Sequence, residues 1–375
     1  MSLNVVIAPD SFKGSLDARA VAEAIAAGWR QVRPHDTVRV LPQADGGEGT
    51  LDAIEAAVPG AQRHHTGLVT GPDGRPTPGE WLELPGKVAV VELAQMSGLP
   101  LMESPDPLGA TTDGLGEVIR DALASGAGSL VIGLGGSAST DAGSGALRAL
   151  GLVLRDADGA PVARGGGELT RVTSLDRAGL LPPPPGGTTL LTDVGAPLTG
   201  PDGAAAVFGP QKGASPEQVA LLDSALAHFA SLLGGHPDRA GMGAAGGCGY
   251  GFTAGWGAEV EPGAKYIARL SGLAEAVAGA DVVLTGEGRF DATSGTGKVV
   301  GELLRLASRH GVAVGIIAGQ VAVDPAAGAA TVWTAALADL ADSLNEAIEH
   351  PEPLLREAGA AAARHYSAHH TAVHQ

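Results

Sequence analysis

Apolar runs that end in glycine-rich loops bearing carboxylates, hydroxyls or lysines recur along this chain. Val5-Val6-Ile7-Ala8 leads into Pro9-Asp10-Ser11-Phe12-Lys13-Gly14-Ser15, and Val38-Arg39-Val40-Leu41 precedes Ala44-Asp45-Gly46-Gly47-Glu48-Gly49-Thr50. Leu130-Val131-Ile132 opens Gly133-Leu134-Gly135-Gly136-Ser137-Ala138-Ser139-Thr140-Asp141, and Asp281-Val282-Val283-Leu284 runs to Thr285-Gly286-Glu287-Gly288-Arg289-Phe290-Asp291. Strands buried on both faces of a parallel sheet read as continuous apolar runs, and ligands of such sheets sit beyond the strands' carboxyl ends. Glycine lets backbone N–H groups approach an anion, while carboxylates hold divalent cations. The repeated pattern predicts an enzyme with a composite phosphate-and-metal site.

At 375 residues the chain exceeds the usual single core, so two domains are expected. Only 3% of residues are aromatic, which leaves Val, Leu, Ile and Ala to build the cores. The 58 glycines follow no collagen-like period and cluster in loops. A formal charge of −17 argues against a nucleic-acid partner, which needs a basic face, and serves solubility. Lysine is confined to Lys13, Lys87, Lys212, Lys265 and Lys298; Lys13, Lys212 and Lys298 lie in glycine-rich contexts that favour anion binding. Cys248 stands alone, which rules out a disulfide framework or a cysteine zinc site, and its small neighbours suggest an inert thiol. The start of the chain shows no basic segment followed by an apolar one, and no stretch has membrane character. A soluble cytoplasmic protein, monomer or homodimer, is expected.

Val21, Ile25, Gly28 and Val32 share one face of a helix over 17–32, predicted to face the sheet, and Pro34 stops it. A second helix is expected over 48–58. Between 67 and 102 the pattern alternates, as in Trp81-Leu82-Glu83-Leu84 and Lys87-Val88-Ala89-Val90-Val91-Glu92 across Pro85-Gly86, which predicts an antiparallel hairpin. The βα pattern resumes with helices over 112–125 and 141–150 around the Leu130 strand, then a strand over 188–192 that ends at Asp193. Ser215-Pro216-Glu217-Gln218 has the form of a capping box that opens a helix to about 233. A strand over 281–285, a helix from Lys298, a strand over 312–317 and C-terminal helices complete the pattern. The histidines at 365, 369, 370 and 374 read as a frayed tail. The fold class is thus α/β: a doubly wound, mostly parallel Rossmann-like sheet with a second, inserted α/β domain. The expected core is 1–64, 105–194 and 275–375, the insert is 65–104 and 195–274, and the active site is expected in the cleft between them.

Taken singly, the loops leave alternatives open. Lys13 suits a phosphate or a substrate carboxylate, with Ser11 and Ser15 as further donors, or the loop is simply a capped turn. Asp45 and Glu48 can coordinate Mg²⁺, or Glu48 can favour a helix N-terminus. The 133–141 segment is the strongest phosphate-loop candidate and shares a short string with GHMP small-molecule kinases, whose order of elements it does not follow. The 286–298 segment is no Walker A loop, since Ala292 stands at the first glycine and Val299 at the Ser/Thr position. Arg289 suits a carboxylate substrate or a structural pair with Asp291.

Together the strings resemble the type-1 glycerate kinase family. They are Ala8-Pro9-Asp10-Ser11-Phe12-Lys13, Ala44-Asp45-Gly46-Gly47-Glu48-Gly49-Thr50, Gly135-Gly136-Ser137-Ala138, Phe208-Gly209-Pro210-Gln211-Lys212-Gly213-Ala214, Gly243-Ala244-Ala245-Gly246-Gly247 and Thr285-Gly286-Glu287-Gly288-Arg289-Phe290-Asp291, in the family's order along nearly the whole chain. The resemblance implies a two-domain protein that transfers the γ-phosphoryl of ATP to D-glycerate with Mg²⁺, and 2-phosphoglycerate is favoured over 3-phosphoglycerate as product. On that basis Gly135, Gly136, Ser137, Ala138, Thr140 and Glu287 are expected at the nucleotide, and Asp45 and Glu48 at Mg²⁺. Asp10, Ser11, Lys13, Arg289 and Lys298 are expected at the substrate, with Lys13 also at the transferring phosphoryl. Asp193 is expected to orient or deprotonate the acceptor hydroxyl, with Asp291 as its rival. The alternatives are a kinase for another hydroxy acid or polyol, and a metabolite-binding regulator without turnover.

Overall fold

The computed structural model of the chain describes residues 2–292, 294–295, 298–323 and 332–372, with the side chains of 369–372 excepted. It contains two compact units: Met1–Asp45, Asp52–Pro59 and Ala264–Gln375 form the first, and Gly46–Leu51 and Gly60–Gly263 the second.

In the first unit the apolar runs become a five-stranded parallel sheet in the order Val332–Ala336, Ala313–Ala318, Val282–Thr285, Asn4–Ile7, Thr37–Val40. Alternation along each strand sends side chains to both faces. Val5, Ile7, Val282 and Leu284 pack with Trp29, Leu355 and Tyr366 on one side, while Val6, Ala8, Val283 and Ile316 pack with Leu303, Leu273 and Val277 on the other. That double burial is why the inner strands lack a polar period, whereas the edge strand Thr37–Val40 alternates. Gly28, expected to face the sheet, instead lets the helix Ala18–Val32 approach the helix Pro351–Ala372: a Cβ there would lie 1.9 Å from the Arg356 carbonyl oxygen. The expected tail is also partly helical, since His365 lies in Pro351–Ala372 and its ring meets Trp333 and Tyr366. His374 lies outside the described residues, as do the side chains of His369 and His370.

Numbered along the chain, these strands run 2-1-3-4-5, and the order reverses between Asn4–Ile7 and Val282–Thr285. Loops that leave adjacent strands at such a reversal diverge, so the crevice beyond their carboxyl ends is the place this topology leaves for a ligand.

The second unit holds a six-stranded sheet in the order Glu259–Glu261, Thr188–Leu191, Ser129–Gly133, Val88–Glu92, Pro76–Leu84, Gln62–Thr70. Its first four strands are parallel and the last two are added antiparallel. The predicted hairpin is present between Pro76–Leu84 and Val88–Glu92. The domain boundaries differ from expectation: 105–194 lies with 65–104 in the second unit, not with the N- and C-terminal segments. The cause is that Val88–Glu92 pairs antiparallel with the hairpin strand and in parallel with Ser129–Gly133, which joins the two patterns in one sheet. The helix Pro216–Leu233 opens with the expected capping box, Ser215 and Gln218 each bonding the other's backbone N–H.

Candidate active site

In the first unit, the loops that leave the reversal point enclose a cavity of about 410 Å³. Asp10, Ser11, Lys13, Asp45, Glu287, Arg289 and Lys298 all line it. Backbone bonds align the two loops: Ala8 N donates to Leu284 O and Asp10 N to Gly286 O, both at 2.8 Å. Gly14 takes a left-handed conformation (φ +76°), which lets Phe12 and Leu16 close a tight loop and leaves Lys13 projecting. Gly319 brings the strand from Ala313 against the second loop; a Cβ on it would lie 2.3 Å from the Gly288 carbonyl oxygen.

Charge is the dominant property of this pocket. Lys13 Nζ lies 3.7 Å from Asp45 Oδ2, and Arg289 Nε lies 3.9 Å from Asp291 Oδ2. Asp10 is buried, with Ser11 N donating to its Oδ1 at 2.7 Å. Burial, and then the Asp45 carboxylate, push Asp10 up to about 7 from 3.8, against the opposing pull of Lys13. Burial also raises Glu287, with a Ser294 hydrogen bond and the Lys298 charge opposing it, and Glu287 Oε1 is buried without a hydrogen-bond partner. Lys298 is the N-cap of the helix Val299–His310; Thr296 and Gly297 just before it, and Thr293, lie outside the described residues.

These hard carboxylate oxygens fit Mg²⁺. Among the described residues no group of three or more His, Cys, Asp or Glu side chains could hold a metal by itself. Mg²⁺ needs no such cage, since one or two carboxylates with water and phosphate oxygens complete its octahedron. A native proton uptake at Asp10 has a measurable sign. Its folded value lies above 3.8, so the folded state binds the extra proton between there and about 7, and the stability present at lower pH is lost as pH rises through that window. A cation at the carboxylates offsets the loss. MgCl₂ is therefore expected to raise the melting temperature more at about pH 8 than at about pH 5, and equal gains would contradict this.

In the second unit, the 133–141 loop is held by close glycine contacts. Gly135 N donates to Gly46 O at 2.9 Å, and a Cβ on Gly135 would lie 2.2 Å from Gly47 Cα. Gly136 has φ +74° and Ser137 is buried behind it. Thr140 Oγ1 and Ser139 Oγ are buried without partners, and Ala138 N bonds Ser97 O at 3.0 Å. Asp141 is buried and accepts from Thr112 N and Oγ1 and from Gly143 N and Gly145 N at 2.8–3.1 Å. Its role is to fix the loop onto the helix Ser144–Ala149.

The expected residues thus fall into two sets. The first unit's pocket gathers Asp10, Ser11, Lys13, Asp45, Arg289 and Lys298, and with them Glu287, which was expected at the nucleotide. Asp291 is half-exposed beside Arg289, outside the residues that line the pocket. Gly135, Gly136, Ser137, Ala138 and Thr140 form the second unit's loop, and Glu48 belongs there: a Cβ on Gly136 would lie 3.0 Å from Glu48 Oε1. Asp193 follows the strand Thr188–Leu191 of the second unit and does not line the first unit's pocket.

Two polar residues outside the expected site set support these loops. Glu92 accepts from Gly49 N and Leu51 N at 3.1 and 2.9 Å, which anchors the start of the helix Thr50–Ala57 in place of Glu48. Its signal was a carboxylate at the end of an apolar strand. Lys212, expected from its glycine-rich context to favour anion binding, donates to Ser137 Oγ at 2.9 Å. Cys248 is buried with its thiol pushed well above the ordinary range by desolvation, which keeps it protonated.

The chain matches the model of the glycerate kinase family over residues 5–367. It is 41% identical over 331 residues to glycerate 2-kinase of Escherichia coli K12, with 86% of each chain covered. It is 40% identical over 337 residues to glycerate kinase of Bacillus subtilis 168, again with 86% of each covered. Its structure superposes on the crystal structure of a candidate glycerate kinase 2 from Salmonella typhimurium LT2 with a TM-score of 0.80 at 37% identity, over 99% of this chain and 100% of the other. Among the described residues no helix is long and apolar enough to cross a membrane.

Proposed function

Because the chain belongs to the glycerate kinase family, we propose that it is an enzyme that transfers the γ-phosphoryl group of Mg-ATP to D-glycerate, forming 2-phosphoglycerate in preference to 3-phosphoglycerate. The observation that carries this is the first unit's pocket, where Lys13, Arg289 and Lys298 stand with Asp10, Asp45 and Glu287. A small acid with adjacent hydroxyls requires that pairing: cations for its carboxylate, buried carboxylates for its hydroxyls.

Phosphoryl transfer chiefly needs positioning and neutralisation of charge. Arg289, oriented by Asp291, and Lys298 hold the acceptor carboxylate, while Ser11 and Glu287 orient its hydroxyls. Asp10, which burial and the Asp45 carboxylate push up to about 7, takes the proton of the attacking hydroxyl, with Asp193 as its rival. Lys13 neutralises charge on the transferring group. The backbone N–H of Gly136, with the Ser137 and Thr140 hydroxyls, holds the nucleotide phosphates, while the Gly135 and Ala138 N–H groups brace the loop on Gly46 and Ser97. Asp45 is assigned to Mg²⁺, which when bound would neutralise phosphate oxygens. The enzyme works in the cytoplasm as a monomer or homodimer, and its charge of −17 supports the absence of a nucleic-acid partner.

ADP release with a panel of acceptors tests the assignment. D-Glycerate is expected to exceed glycerol in kcat/KM by at least about a hundredfold, because a site built for a carboxylate leaves its cations unpaired with a polyol. Preference for the polyol would overturn the substrate. ATP binding with no acceptor phosphorylated would support a regulator instead.

A further inference from the structure

Lys212 is the most deeply buried cation in the second unit that the mechanism above leaves without a task. It ends the 3₁₀ turn Pro210–Lys212, which Gly213 closes with φ +88°. The turn delivers the side chain to the interior, where the residue is only 2% exposed. Nζ donates to Ser137 Oγ at 2.9 Å and to the Ser139 carbonyl oxygen at 2.5 Å. Burying an ammonium is costly unless it is compensated. Asp141 compensates only through space, because its oxygens are taken by Thr112, Gly143 and Gly145; among the described residues no ion pair to Lys212 is formed. The charge is committed to the glycine loop itself.

The consequence lies in the direction of one hydrogen bond. An ammonium has donors and no acceptor. Ser137 Oγ therefore receives from Lys212 and cannot give its hydrogen back, so that hydrogen is available to another acceptor. Next to it, the Ser139 and Thr140 hydroxyls are buried and unpartnered. The loop thus offers several uncommitted donors beside the closely packed backbone of Gly135 and Gly136, the complement of a ligand that presents only acceptor oxygens.

We propose that Lys212 is a positioning residue for the nucleotide: it fixes the Ser137 hydroxyl oxygen so that the hydroxyl hydrogen is presented to a phosphate oxygen of ATP. This rests on the kinase function proposed above. Lys212 acts through Ser137, so the two residues behave as one unit and their substitutions do not add.

The test is titration with Mg²⁺ and a non-hydrolysable ATP analogue, together with steady-state kinetics, on Ser137→Ala, Ser137→Thr, Lys212→Met and the double variant. Ser137→Ala and Lys212→Met are each expected to weaken nucleotide binding about tenfold and to leave the KM for glycerate unchanged. The double variant should be no weaker than the weaker single, and Ser137→Thr, which keeps the hydroxyl, should restore affinity. Unchanged affinity in Ser137→Ala, multiplied losses in the double variant, or failure of Ser137→Thr to rescue would each overturn the proposal. If Lys212→Met does not fold, the Ala and Thr pair at 137 decides alone. A wild-type protein that neither binds nucleotide nor phosphorylates glycerate would fail the kinase function, whereas a fully active one with indifferent variants fails only this inference.

Discussion

Lys13→Ala is expected to lower kcat for glycerate phosphorylation at least about tenfold while the melting temperature stays nearly constant. The two halves of that result have separate causes. The Lys13 side chain is 57% exposed and its ion pair with Asp45 is 3.7 Å long. Exposed pairs of this kind contribute about 0–1 kcal/mol, so their loss barely affects the fold. The same charge beside a transferring phosphoryl acts in a pocket with less solvent, where neutralisation in the transition state is worth far more. Stopped-flow or coupled turnover with a parallel thermal melt separates the two. Near-normal kcat would remove Lys13 from the chemistry, and a collapsed melting temperature would make it a structural residue.

Gly286→Ala is expected to destabilise the protein by about 3 kcal/mol or more, the upper end for overpacking. A Cβ at this position would lie 1.8 Å from the Ile317 carbonyl oxygen, and Gly286 O also receives the Asp10 N–H. Both neighbours are backbone in or beside the central strands, so neither can move without breaking the alignment of the two pocket loops. Gly288→Ala is the internal control, because its Cβ would lie no closer than 3.7 Å to any neighbour. Denaturant unfolding of the pair should show a large loss at 286 and a small one at 288. Equal losses would mean that composition of the loop, and not the close approach, sets its stability.

Much of this architecture is legible before any coordinates. The apolar runs at 5–8, 130–132 and 281–284 became central parallel strands because burial on both faces removes the polar period, and their loops carry the expected acids and bases. Ser215 and Gln218 announce their helix because a capping box is local chemistry. What was not legible depends on pairing across long stretches of chain. Val88–Glu92 reads as half of a hairpin, and its own residues do not reveal that Ser129–Gly133 lies along its other edge. That second pairing moved the domain boundary. Lys212 and Ser137 are 75 residues apart, so neither motif alone shows that one orients the other. Asp193 is expected to orient or deprotonate the acceptor hydroxyl because it follows an apolar strand, and Glu92 ends such a strand too but anchors a helix. A carboxylate at a strand end marks the functional edge of a sheet without saying what the group does there.

The most direct test of the central claim is phosphorus NMR of the mixture formed from purified protein, Mg-ATP and D-glycerate. The expected spectrum shows ADP and an equal amount of 2-phosphoglycerate. A 3-phosphoglycerate signal would keep the kinase and reassign the attacking hydroxyl, since the two oxygens differ only by fine placement in the pocket. Unchanged ATP in the presence of folded protein and D-glycerate would contradict the claim.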